Sequence, residues 1–139
     1  MNTFKILIIF CSFTFITACG NSDDERHKIN ETLVKIESIY QEWDDSYRLI
    51  QLSSNRDRIT SIIADLQTIE RKLNAVSISE HKCMKMTKFY LSRHMDLTIE
   101  SMYLFFDGKK AKSKGIASVA QDQLSEFKSS LARAKLTCP

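Results

Sequence analysis

From Asn21 to Cys138 the chain contains no proline and only two glycines, Gly108 and Gly115. Proline cannot continue a helix interior, and glycine weakens one by about 1 kcal/mol relative to alanine. So long a run almost without breakers predicts long helices joined by few, short turns. Gly20 and Pro139 flank this run.

The apolar residues carry the helical period. Ile29, Leu33, Ile36, Tyr40, Trp43, Tyr47 and Ile50 recur at alternating spacings of four and three. Ile59, Ile62, Leu66, Ile69, Leu73 and Val76 repeat the pattern, as do Ala117, Ala120, Leu124, Phe127, Leu131, Ala134 and Cys138. Each set lies on one face of a helix and is expected to face a core. The third stretch differs. Met84, Leu91, Met95, Met102 and Phe105 make one stripe, while Cys83, Met86, Tyr90, Leu97 and Leu104 lie largely on another side. A helix apolar on more than one side is a central one.

The boundaries carry signals of their own. Ser22-x-x-Glu25 and Ser77-x-x-Glu80 have the spacing of capping boxes. Ser54-Asn55-Arg56-Asp57 separates the first two stretches, and Asp107-Gly108 ends the third, glycine suiting the position after a helix. Helices are therefore expected over about 23–52, 56–76, 78–106 and 109–136. Short connections make neighbours antiparallel. The reading is all-α: an antiparallel up-down-up-down four-helix bundle spanning 25–139.

Residues 1–18 read as a secretory signal, with Lys5 ahead of an apolar stretch from Ile6 to Ile16. That stretch is too short for a bilayer, which needs about 20 apolar residues. Ile16-Thr17-Ala18-Cys19 follows, and after it the polar run Gly20-Asn21-Ser22-Asp23-Asp24-Glu25. This block resembles the lipobox of bacterial lipoproteins. The resemblance covers only the first 19 residues. It implies diacylglyceryl transfer to the Cys19 thiol, cleavage before that residue and a stable lipid anchor, with residues 19–24 as a short tether. Gly20 stands where an aspartate would favour inner-membrane retention, so the resemblance also implies the outer membrane of a Gram-negative envelope. The competing reading is an ordinary secreted protein cut near Ala18, with a spare cysteine.

Of the four cysteines, Cys11 leaves with the signal and Cys19 takes the lipid. Cys83 and Cys138 remain in an oxidising compartment and are expected to pair. A crosslink closing a loop of this length is worth roughly 4 kcal/mol in the chain-entropy model. The pairing agrees with the topology, because the start of the third helix and the end of the fourth are adjacent in an antiparallel pair. The rival, a metal site of His81, Cys83 and Cys138, lacks a usual zinc spacing and an evident fourth ligand.

No constellation for chemistry stands out. His27, His81 and His94 form no His-Glu-x-x-His pattern or placeable Ser/His/Asp arrangement, and phosphate-cradling glycine loops are absent. Glu42, Asp44 and Asp45 read as a solvated face. Met84, Met86, Met95 and Met102 near His94 could ligate Cu(I), but most of them fall on the core stripe, where methionine packs. The reading therefore assigns no metal, no cofactor and no catalysis. The charge is +3, or about +2 without Lys5, too mild to imply nucleic acid.

Two features suggest an interface. Lys109, Lys110, Lys112 and Lys114 form the densest charge run. Cations at a helix start are mildly unfavourable, so either the helix begins nearer Ser113 or the run is kept for binding. The topology puts these lysines at the end of the bundle away from the anchor. Tyr40, Trp43 and Tyr47 form an aromatic stripe that suits packing or a partner-facing patch. The expectation is a membrane-tethered, non-catalytic protein acting through a protein partner, of assembly-accessory, inhibitor or immunity, or exclusion type. The alternative is a small-ligand or metal carrier. It would need a cavity lined by Met84, Met95 and Met102 with His94 reaching in.

Overall fold

The computed structural model describes residues 20–53, 55–78 and 81–138. The lipobox, Cys11 and Cys19 lie outside them. Four helices follow in order: α1 Gly20–Gln51, α2 Arg56–Asn74, α3 Lys82–Phe106 and α4 Lys110–Thr137. No strand occurs among the described residues.

Cross-helix bonds fix the up-down-up-down topology. At one end Glu25 of α1 accepts from His81 Nε2 at 2.8 Å, and Cys83 is bonded to Cys138 with their Cα atoms 6.1 Å apart. At the other end the Arg56 guanidinium of α2 lies 5.4 Å from the centre of the Phe106 ring of α3. α3 and α4 form the most intimate pair, α2 bridges α1 and α3, and α1 closes the bundle.

The core is a single cluster. It holds Ile29, Leu33, Ile36, Trp43, Leu66, Leu73, Leu91, Met95 and Phe127, among others. The four periodic faces converge on it, as the spacing requires. Ile39 and Ile63 are also buried, which widens the faces of α1 and α2 beyond the expected stripes. The α3–α4 seam is built from small polar groups. The Thr87 and Ser130 hydroxyls bond each other at 2.9 Å, and Ser113 donates to the Ser101 carbonyl at 2.7 Å. Small side chains let the two backbones approach closely, and hydrogen bonds offset the cost of burying hydroxyls.

The ends show what the local sequence does. Asn55 caps α2 by accepting from the Asp57 and Arg58 amides at 2.9 and 3.2 Å. Gly108 ends α3 with φ +76° in a Schellman arrangement. Its amide reaches the Phe105 carbonyl at 3.0 Å, and the Lys109 amide reaches that of Leu104 at 2.9 Å. Lys88 of α3 donates to the carbonyls of Asn74 and Val76 at 2.9 and 2.8 Å, satisfying the end of α2 from a neighbouring helix.

Both expected capping boxes need correction. Ser22 lies within α1 rather than ahead of it. α3 starts at Lys82 rather than 78, with His81 at the cap position and Ser77 outside the helix. A capping-box pattern is short enough to occur where the chain has other partners, and here His81 is engaged with Glu25.

Candidate functional site

α1 is described from Gly20 onward, so residues 20–24 of the expected tether are helical. With a rise of about 1.5 Å per residue, α1 is close to 48 Å long. Its start lies beside the disulfide, and its far end meets the starts of α2 and α4. The two ends of the bundle are therefore well separated.

At the far end α4 opens at Lys110, with Lys109 at the cap position and no acidic residue in the first turn. The regular helix does not wait for Ser113. Lys109, Lys110, Lys112 and Lys114 are all exposed. Lys109 pairs with Asp107 at 3.5 Å, and the Lys110 ammonium lies 6.0 Å from the centre of the Phe105 ring. Arg56 and Arg58 of α2 join the lysines at this end. The stretches 52–58 and 105–114 hold six basic and two acidic residues.

Apolar surface lies among these charges. Phe105 is 55% exposed and Leu52 84% exposed. The expected core stripe of α3 therefore ends differently. An α-helix turns once in about 3.6 residues, so after Met95 the buried line runs through Ile99, Met102 and Phe106, leaving Phe105 outside. A groove of about 210 Å³ opens here, lined by Ile50, Ile59, Met102, Phe105 and Phe106, with Ser101 and Ser113 behind them. Residues of all four helices contribute.

The aromatic stripe of α1 is turned toward the core. Trp43 is 1% exposed, and its ring meets that of His94 edge-on at 6.3 Å. Tyr40 and Tyr47 are half-buried against the core, with Tyr40 packed on Phe127 at 5.2 Å. Sequence spacing puts these residues on the core side, and the two tyrosines remain partly exposed. The Trp43 indole N–H is buried without a hydrogen-bond partner.

The methionines do not gather around one cavity. Met84 borders a groove of about 530 Å³ at the disulfide end, Met102 borders the groove at the opposite end, and Met95 is sealed between them. His94 is 5% exposed, and its Nδ1 lies 2.8 Å from the Ala120 carbonyl. A carbonyl only accepts, so Nδ1 carries the proton. Burial lowers the pKa of this imidazole below 6.5, opposed by the bond to Ala120. Among the described residues no group of three or more His, Cys, Asp or Glu side chains is placed to hold a metal ion. None of the described helices is long and apolar enough to cross a membrane.

One titrating pair lies outside every sequence expectation. Glu70 of α2 is raised to about 7 by burial, and then by a hydrogen bond to Asp96 of α3 and the charge of that residue. Protonated Glu70 donates to the Asp96 carboxylate across the α2–α3 surface. Glu70 and Asp96 lie 26 positions apart on different helices, so only the bundle brings them together. Compared with protein families, curated proteins and solved structures, the chain matches no family model, no curated protein and no known structure.

Proposed function

We propose that the protein is a membrane-anchored, non-catalytic envelope lipoprotein, held at the periplasmic face of an outer membrane by lipid on Cys19. In this reading it acts by binding a protein partner, as an assembly accessory, an inhibitor or immunity protein, or an exclusion factor. The anchor rests on the sequence Ile16-Thr17-Ala18-Cys19 with its apolar leader. The observation that carries the partner is the far end of the bundle. There α4 opens directly on a lysine run, where each cation costs a few tenths of a kcal/mol against the helix dipole. Exposed apolar side chains accompany those cations. Charges retained against their local preference favour a binding role over a merely solvated turn.

The carrier alternative is less well supported, since Met95 and His94 are committed to packing and to a backbone carbonyl. Affinity capture of the tethered full chain from envelopes, with partners identified by mass, tests the choice. A reproducible protein partner supports the proposal. A co-purifying metal or small molecule without any partner protein overturns it.

A further inference from the structure

The far end of the bundle combines three properties that rarely coincide on an inert surface. The first is charge. Its six basic and two acidic residues leave four positive charges, more than the +3 of the entire chain. The remainder of the molecule is therefore slightly negative, and the basic character is concentrated at one tip. The second is exposed apolar surface at Phe105 and Leu52. The third is the groove beside them, whose lining is aliphatic and aromatic.

The groove limits what can enter it. At about 210 Å³ it falls below the range of small-molecule sites, roughly 300–1,000 Å³. It exceeds the roughly 150 Å³ apolar cavity that accommodates benzene. That is room for one aromatic or leucine side chain. The two serines behind it have committed their hydroxyl protons, Ser101 to the Thr98 carbonyl and Ser113 to that of Ser101. They offer no donor to a polar guest. The rim is different: Lys110 lies over Phe105 and Arg56 over Phe106, with outer N–H groups that can donate to a carboxylate from outside.

We infer that this tip docks an acidic segment of a partner protein that inserts one aromatic or leucine side chain into the groove between Ile59, Met102 and Phe106, while its carboxylates meet Arg56 and the lysines of α4. The inference rests on the proposed partner-binding role and names the chemistry of the partner. A bilayer surface fits less well. It is flat, it cannot offer a protruding side chain to a groove, and the protein's own membrane would lie a helix length away at the Gly20 end.

The test uses the full chain held in phosphatidylcholine nanodiscs and a fluorescent peptide of Glu and Asp residues with one central Phe. Anisotropy should report saturable binding. It should weaken at least about tenfold in the K110E/K112E variant, whose changes are on exposed positions. Phe105→Ala and replacement of the peptide Phe by Ser should each weaken binding about as much. Raising salt from about 0.05 to about 0.3 M should weaken it further. Equal binding of the Phe and Ser peptides would overturn the inference, because charge alone would then suffice. Absence of binding would overturn it too. So would capture of the nanodiscs by phosphatidylglycerol vesicles when the peptide does not bind, which would reassign the tip to anionic lipid. Membrane retention of the chain in cells is read separately. A retained protein whose tip ignores the peptide sinks this inference and leaves the anchor standing.

Discussion

Glu70 shows how a single residue reports on the whole packing. In the unfolded chain it ionises near 4.5, and in the bundle at about 7. The folded state holds this proton more tightly, so the associated stability is complete below pH 4.5 and is lost as pH rises through 7. Glu70→Gln keeps a neutral group at all pH values. Its thermal midpoint should match that of the native chain at pH 4.5 and exceed it by a few degrees at pH 8. Solvent screening at this half-exposed site holds the gain to roughly 1 kcal/mol. Equal midpoints at both pH values would contradict the raised pKa of Glu70. His94 has the opposite sign. Its depressed pKa contributes stability above pH 6.5 that is lost as pH falls. Neither effect was legible in the sequence, because both depend on residues that meet only after the helices pack.

At the scale of elements most of the architecture was legible, since 3–4 spacing and scarce breakers are direct consequences of helix geometry. The end of α3 was readable for the same reason, because Gly108 fits a left-handed position that other residues resist. Failures came where a short pattern met long-range contacts. Ser77 and Ser22 match a capping motif, yet His81 and Gly20 open the helices. Phe105 was assigned to the core by a seven-residue repeat, which drifts from the true 3.6-residue turn over the length of α3. The two interior glycines make a matched test. A Cβ at either would meet nothing within 4 Å, so sterics do not distinguish them. Gly108 has φ +76° and Gly115 lies within α4. Gly108→Ala should cost about 1–2 kcal/mol, and Gly115→Ala should stabilise by roughly 0.5–1 kcal/mol. Urea midpoints that shift in opposite directions bear this out, and a common direction refutes it.

For the whole molecule, the disulfide ties the end of α4 to the start of α3 and holds the last turn in place. It closes 55 residues of sequence separation, so its loss should cost about 4 kcal/mol in the chain-entropy model, a large share of a stability of typically 5–15 kcal/mol. Cys138→Ser should lower the urea midpoint accordingly, and reductant should do the same to the native chain while leaving the variant unchanged. An unchanged midpoint in both would mean that the crosslink stabilises nothing. The candidate site was half legible at this scale. The lysine run is contiguous and could be read directly. The groove could not, because Ile50, Ile59, Met102 and Phe106 come from three helices, and Arg56 joins them only through the topology.

The same topology makes the anchor decisive. With α1 starting at Gly20, lipid on Cys19 would seat the disulfide end against the membrane and turn the basic tip outward. Without that lipid the polarity of the bundle has no membrane to refer to. Fractionation of cells expressing the native chain and Cys19→Ser, with labelled palmitate followed in both, tests this most directly. A palmitate-labelled native protein is expected in the membrane fraction, with an unlabelled variant released from it. A variant that stays membrane-bound, or that still takes up palmitate, would contradict it.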